Sequence, residues 1–317
     1  MRPSPTLIAA AAALLVATAC SPGGDDTADG GLTTVTAGVI PIVDVAPVYL
    51  GVDQGFFSDR GIDLRLEAGS GGAAIVPGVI SGEFDLGFSN VASLIVAREQ
   101  GLPLAALTNG ATSVGEQGAD FGGVFVLGDS DITDAAGLEG ATVAINNLNN
   151  IGDTTVRQSV RAAGGDPGEV AFVELPFPDM PAALETGQID AVWAVEPFAS
   201  AIRAAGHREI ASNFVDTHPD LSVAAYFTSD QRLEQDAELF ADITAALEES
   251  LAYAEANPDE VRRILGTYTE IDAQVIEEMV LPRFPAGINE ESVRTLADLM
   301  VTDGLIETEP DLAPLLP

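Results

Sequence analysis

Apolar and polar positions alternate through residues 32–40, LTTVTAGVI, with the two-residue period of a strand. Residues 45–57, VAPVYLGVDQGFF, switch to helical spacing and end near Phe57. Alternation returns at 61–69, and a helix is predicted over 71–82 with Gly82 as its stop. Residues 84–90, 92–101 and 103–110 then read as strand, helix and strand. This β-α-β-α-β-α-β order builds a parallel sheet with helices on both faces. After a polar stretch at 111–123 the pattern starts over. Strands are predicted at 124–128, 141–146, 170–176 and 189–195. A short helix and turn falls at 132–140, and helices at 153–165, 179–187 and 197–206, with Asp153 or Thr154 expected as the cap of the first of these three. From 229 onward the chain reads as amphipathic helices whose acidic outer faces are solvated surface.

One corner is written twice in this pattern. SGEFDLGFSN (81–90) and TGQIDAVWAV (186–195) both run small residue, Gly, polar, apolar, Asp, then an apolar run. In each half a helix stops at a glycine, Gly82 or Gly187, and the chain turns into an Asp-marked strand. The predicted fold class is α/β, with two doubly wound lobes joined by a hinge. Ligands of open α/β sheets sit beyond the carboxyl ends of the strands. Two facing lobes therefore enclose a cleft, and closure around a ligand is the expected motion.

The first residues change the picture of where the chain works. Arg2 is followed by an apolar or small run from Leu7 to Ala19, too short to span a bilayer but of signal-peptide proportions. The run ends at Cys20, and ATAC resembles the lipobox of bacterial lipoproteins, in which the cysteine carries lipid. SPGGDDTADGG (21–31) has little to bury and reads as a flexible tether. Residues 1–19 are thus expected to be a signal peptide and 20–32 a lipidated tether. The protein is expected on the outer face of the cell membrane, held by lipid on Cys20.

Composition removes several function classes. The 317 residues carry 13 basic side chains, all Arg, against 49 Asp plus Glu, for a net charge of -36. Such a chain repels nucleic acid, whose binding rests on cationic contacts to phosphate. Cys20 is the single cysteine, so neither an intramolecular disulfide nor a multi-cysteine zinc site can form. The two histidines, His207 and His218, fall in turns and read as solvated. No metal and no cofactor are expected.

Six runs in order then resemble a known family. APVYLGVDQGFFSDRGIDLRL, SGEFDLGF, GLPLAAL, GLEGATVAIN, GGDPGEVAFVELP and LETGQIDAVWAVEPF are similar to the SsuA/THI5-like (NMT1) solute-binding proteins of ABC importers, over roughly residues 33–265. That branch serves nitrate, sulfonates, taurine and thiamine precursors. The resemblance implies a type II periplasmic-binding-protein-like fold, with the C-terminal helices returning to the first lobe. The first lobe is then expected over 33–119 and 215–317, and the second over 120–214. It also implies an ABC permease and ATPase as partners, with the binding protein acting as a monomer.

Loops at strand ends supply the candidate ligand-binding residues. In the first lobe these are Asp44, Tyr49, Ser70, Gly71, Ser89, Asn90 and Asn109. In the second they are Asn147, Asn149, Asn150, Phe177 and Glu196. The GSGG run offers free backbone N–H groups and the Ser70 hydroxyl. The amides of NNLNNIGD can hydrogen-bond in both directions, or serve as turn and cap residues. Asp44 can accept from a ligand N–H or cap the following helix. Phe177 and Trp193 can each stack on a ring. Trp193 lies mid-strand and reads as core, and Glu196 as an interlobe contact or a ligand group. No Arg falls in these loops, which favours a neutral or amine-bearing organic solute, such as a pyrimidine-like compound, over a sulfonate, taurine or nitrate. An enzyme is not expected: no nucleophile elbow, HExxH or phosphate loop is present, and neither the cysteine nor a histidine falls at a cleft position. A THI5-like biosynthetic enzyme is the remote alternative.

Overall fold

The computed structural model describes residues 31–317. The leader, the tether up to Gly30 and the lipidation expected at Cys20 lie outside the described residues. Among the described residues ten strands form two sheets of five. They are β1 (Thr33–Val39), β2 (Ile62–Ala68), β3 (Leu86–Asn90), β4 (Leu104–Thr112), β5 (Gly122–Val126), β6 (Thr142–Ile145), β7 (Ala171–Glu174), β8 (Ala191–Val195), β9 (Arg208–Ala211) and β10 (Ser222–Ser229). The first sheet has the order β2-β1-β3-β10-β4 and the second β7-β6-β8-β5-β9.

Each sheet is mixed, which corrects the expectation of a parallel one. β1 pairs in parallel with β2 and β3, and β6 in parallel with β7 and β8. An antiparallel strand then follows at the fourth place. In the first sheet it is β10, lying between β3 and β4. In the second it is β5, lying between β8 and β9. Each inserted strand directly follows a passage of the chain between sheets. β5 begins after the passage out of the first sheet, and β10 after the passage back. The segments 113–121 and 212–221 make these crossings side by side. Ser113 donates its N–H to the Leu221 carbonyl at 2.9 Å, and Gly118 to the Ser212 hydroxyl at 2.7 Å. Asp120 is fully buried at the crossing, accepting from the Ser113 hydroxyl and from the N–H groups of Val114 and Phe121.

The sequence reading leaves 207–228 unassigned, so β9 and β10 are additions. All eight residues of β10, SVAAYFTS, are buried. A strand covered on both faces carries no alternation, and the periodicity test fails there. The Val43–Val45 turn and the helix Ala46–Gln54 follow β1, and the long helix Ala237–Ala256 packs against that helix and against β4. The helix Glu290–Thr302 bridges the two halves, lying against Val91–Glu99 in one and Ile151–Ala162 in the other. The cap of Ile151–Ala162 is Asn150, not Asp153 or Thr154: its Oδ1 accepts from the N–H groups of Gly152 and Asp153.

The twice-written corner has one physical cause. Gly82 and Gly187 end their helices in the left-handed region, at φ 79° and 66°, where a Cβ is disfavoured. Three residues on, Asp85 and Asp190 repeat one bonding pattern. Asp85 Oδ2 accepts from Thr36 N–H at 2.8 Å, and Asp190 Oδ2 accepts from Thr142 N–H at 2.8 Å. The backbone N–H of each Asp returns a bond to the carbonyl of the same threonine. Each corner thereby clips the start of β3 to β1, or of β8 to β6, and fixes the parallel register. The first corner is reinforced by Arg232, whose guanidinium reaches Asp85 Oδ1 at 2.6 Å.

Among the described residues nothing stands within 4 Å of a Cβ placed on Gly82 or Gly187. Gly82→Ala and Gly187→Ala should therefore pay only the left-handed backbone cost. Each should lower unfolding stability by about 1 kcal/mol, read as a shifted urea midpoint at unchanged slope. A loss at one corner and none at the other would break their equivalence.

Candidate functional site

The ends of β1, β3, β6 and β8 face one another across the two sheets. A cavity lies there, lined from the first lobe by Ile40, Ile42, Asp44, Phe88, Asn90, Val223 and Ala224. The second lobe contributes Asn146, Ile151, Phe177, Trp193 and Val195. Its volume is about 20 Å³, room for about one water. The walls must part to admit a ring, a motion that two lobes joined by two strand crossings can make.

Asp44 is the acid of this cavity. It sits in the Val43–Val45 turn and is 1% exposed. Its side chain does not cap the following helix, and Oδ1 has no hydrogen-bond partner among the described residues. Burial raises its pKa from 3.8 to about 7, and the charge of Asp120 adds to the rise. Three tyrosines stand near it. Tyr226, from β10, is buried with an unpartnered hydroxyl among the described residues, and burial together with the Asp44 charge pushes its pKa up. Tyr49 and Tyr268 stack with ring centroids 3.9 Å apart, and the Tyr268 hydroxyl donates to the Ile42 carbonyl at 3.0 Å. Burial raises the pKa of both. Tyr49 thus backs the ring of Tyr268, which holds the chain at Ile42 just before Asp44, and does not line the cavity.

Aromatic rings make the opposite wall. Phe177 tilts against Trp193 at 5.5 Å and lies parallel to Phe198 at 6.0 Å. Trp193 is buried at mid-strand, as expected, yet it lines the cavity, and its Nε1 has no partner among the described residues. Two buried polar atoms of this lining have no partner among the described residues, the acceptor Asp44 Oδ1 and the donor Trp193 Nε1. Among the described residues no Arg or Lys lines the cavity.

The remaining sequence candidates separate. Asn90 lines the cavity while its Oδ1 caps the helix Val91–Glu99. Ser89 lies behind it, buried, its hydroxyl bonded to the Asn90 carbonyl. Gly71 meets the second lobe directly: a Cβ there would fall 1.9 Å from Asn147 Oδ1, so only glycine permits this approach. Asn147 is buried, with Oδ1 unpartnered among the described residues. Ser70 is exposed and lies at the mouth of the cleft.

Four more candidates, like Tyr49, are not brought to the cavity. Asn109 lies inside β4, donating to Thr112 Oγ1 and the Pro285 carbonyl. Asn149 is an exposed turn residue at φ 55°. Asn150 is buried as a helix cap and donates to Asn146 Oδ1 at 2.8 Å. The Glu196 carboxylate is fully engaged, accepting from Ser200 and Arg203 and from the Val280 N–H, while its carbonyl accepts from Val43 N–H across the lobes at 3.0 Å. Burial raises its pKa even against the Arg203 charge. His207 is also corrected: its side chain is only 11% exposed, packed 3.9 Å from Glu185. His218 accepts from Asp220 N–H in its turn.

The sequence reading missed Asn146, although NNLNNIGD contains it. It also missed Val223 and Ala224, which come from the unassigned β10. Among the described residues no group of three metal-ligating side chains occurs, and no helix is long and apolar enough to cross a membrane.

Two mixed α/β lobes with a cavity between facing strand ends define the periplasmic-binding-protein fold. Residues 42–261 match the family described as NMT1/THI5 like, and the chain belongs to that family. A curated relative, the formylaminopyrimidine-binding protein of Halalkalibacterium halodurans, is 23% identical over 257 residues, covering 80% of this chain and 73% of that one. Among solved structures, the alkanesulfonate-binding protein SsuA of Xanthomonas axonopodis pv. citri, bound to MOPS, superposes with a TM-score of 0.75 at 16% identity. It covers 90% of this chain and 98% of its own. The periplasmic nitrate-binding protein NrtA of Synechocystis gives 0.75 at 15% identity, covering 87% and 82%.

A buried acid with a raised pKa fixes the sign of a pH effect. Between pH 3.8 and about 7 the folded chain keeps a proton on Asp44 that the unfolded chain has lost. Stability is thus greatest at low pH on this account and falls as pH rises through that window. Asp44→Asn removes the cost of ionising the group. The variant should match the parent near pH 4 and exceed its stability at pH 8 by about 4 kcal/mol, measured by denaturant unfolding at both pH values. Equal stability at pH 8 would show Asp44 to be solvated.

Proposed function

We propose that this chain is the extracytoplasmic solute-binding component of an ABC importer. It captures a small organic solute between its lobes and presents the closed form to a membrane permease. The solute is pyrimidine-like or a related nitrogen-bearing compound. One observation carries this reading: the cavity holds an unpartnered buried acceptor and an unpartnered buried donor beside aromatic rings, with no cation. An unpaired buried polar group is costly, and a planar solute with N–H and ring nitrogen satisfies both at once. The relative that binds a formylaminopyrimidine supports it. Sulfonate and nitrate, bound by the structural neighbours, would meet an acid and no positive side chain in this lining. Binding of this kind requires no catalysis, only greater affinity for the closed arrangement.

Trp193 is the chain's single tryptophan, so its emission reports on the cavity directly. Titration with 4-amino-2-methylpyrimidine should change Trp193 emission and raise the melting temperature with concentration. The gain is about 2.7 kcal/mol at one hundred times the dissociation constant. Taurine, methanesulfonate and nitrate should leave both unchanged. Tight nitrate or sulfonate binding without pyrimidine binding would reverse the assignment.

The same reading places the protein outside the cell, anchored by lipid on Cys20. Cys20→Ser should move it from the membrane fraction to the medium, followed by immunoblot. Continued membrane retention would remove the anchor.

A further inference from the structure

The cavity at Asp44 has a neighbour. Ile40, Ile42 and Phe177 also line a second, outer chamber, which opens between the lobes. Its volume is about 160 Å³, against about 20 Å³ inside. The outer walls are Pro41, Gly69 and Ser70 from the first lobe and Pro176, Pro178 and Phe198 from the second.

The two chambers differ in chemistry. The inner one presents Asp44, Asn90, Asn146 and the Trp193 indole N–H. The outer one has a single hydrogen-bonding side chain, Ser70. Three of its residues are prolines, which have no backbone N–H to offer. The parallel pair Phe177 and Phe198 forms its floor. A polar or charged group placed there would lose water and find almost no partner, whereas an alkyl or aryl group would gain by leaving water.

Resting on the proposed solute-binding reading, we infer that the solute is two-ended. A hydrogen-bonding head donates N–H to Asp44 and accepts from Trp193, and an apolar arm of several carbons passes Phe177 into the outer chamber. The chain then selects substituted compounds over the bare heterocycle. The inner chamber takes the head once its walls part, and the proline-rimmed chamber sets the length of the arm. Both lobes contribute to the outer walls, so a filled chamber also draws the lobes together.

The test is a homologous series. 4-Aminopyrimidines with a straight alkyl chain of one to four carbons, at carbon 2 in one set and at carbon 5 in another, are titrated against Trp193 emission. In at least one set the dissociation constant should fall about threefold to fourfold per added methylene. Pro178 is exposed at the mouth, and Pro178→Asp, checked for an unchanged melting temperature, should flatten that slope. Affinity that is level or falls with chain length in both sets overturns the arm while leaving the head reading intact. A slope that survives Pro178→Asp overturns the placement of the arm. Silence from every member of both sets overturns the solute-binding reading and the arm with it.

Discussion

The structure depends on β10 lying inside the first sheet, between β3 and β4. This strand arrives after the chain has built the whole second sheet, and it inserts antiparallel between β3 and β4. Without it β4 has no hydrogen-bonded neighbour in that sheet, and the first lobe has no closed core. The same strand supplies Val223 and Ala224 to the cavity and Tyr226 beside Asp44. Its Thr228 hydroxyl donates to the Asp85 carbonyl at 2.6 Å, tying it to the corner that starts β3. Fold completion and cavity construction are therefore one event. A chain that had not yet formed its second lobe would have neither.

This interlock explains how two lobes can move and remain one molecule. The two crossing segments bond to each other through Ser113 with Leu221 and Gly118 with Ser212. Beyond them the lobes meet at a few defined places. Val43 N–H reaches the Glu196 carbonyl, Asn147 comes to Gly71, and Arg161 pairs with Asp303. Glu196 is the most embedded of these groups, its carboxylate held by Arg203 and Ser200 within its own lobe and by the Val280 N–H. It ties the ends of β8 and β1 together from behind the cavity. A group already holding these contacts orients the walls and is not free to hold a solute.

Much of the architecture was legible because local rules and tertiary structure agree. The helices and strands of each half follow their periodicities, and the Gly-x-x-Asp corners at 82–85 and 187–190 announce the doubling. What escaped was decided by burial on both faces or by long-range pairing. β10 has no alternating pattern because both its faces are covered. The antiparallel insertions are set by strands at least 65 residues apart, from Val126 to Ala191 at the nearest, which no local window contains. At the site, Asp44 was legible from its place after β1, and Phe177 from the loop after β7. Trp193 reads as core from its mid-strand position and is buried there, and the same face also borders the cavity. Asn109, Asn149, Asn150 and Glu196 show the opposite case. Amides and acids near strand ends serve caps and interlobe contacts as readily as ligands, and residue type does not separate these roles.

The charge of the molecule bears on which solute can enter. A net charge of -36 gives the molecule a negative field, which favours approach of cations and disfavours anions before any contact is made. Salt shortens that field to about 8 Å at physiological strength, so at the surface it biases arrival more than affinity. Inside the cavity the balance is local, and it falls on Asp44. Its carboxyl is held neutral by burial up to about pH 7, and an N–H donor, above all a charged one, favours its ionised form. An anion meets the opposite condition, because it must enter a low-dielectric space with an acid on one wall and no guanidinium on the other. The outer field and the inner wall thus select in the same direction, toward a nitrogen donor. Burying Asp44 costs folding stability, and a hydrogen-bond donor set against its Oδ1 would offset that cost.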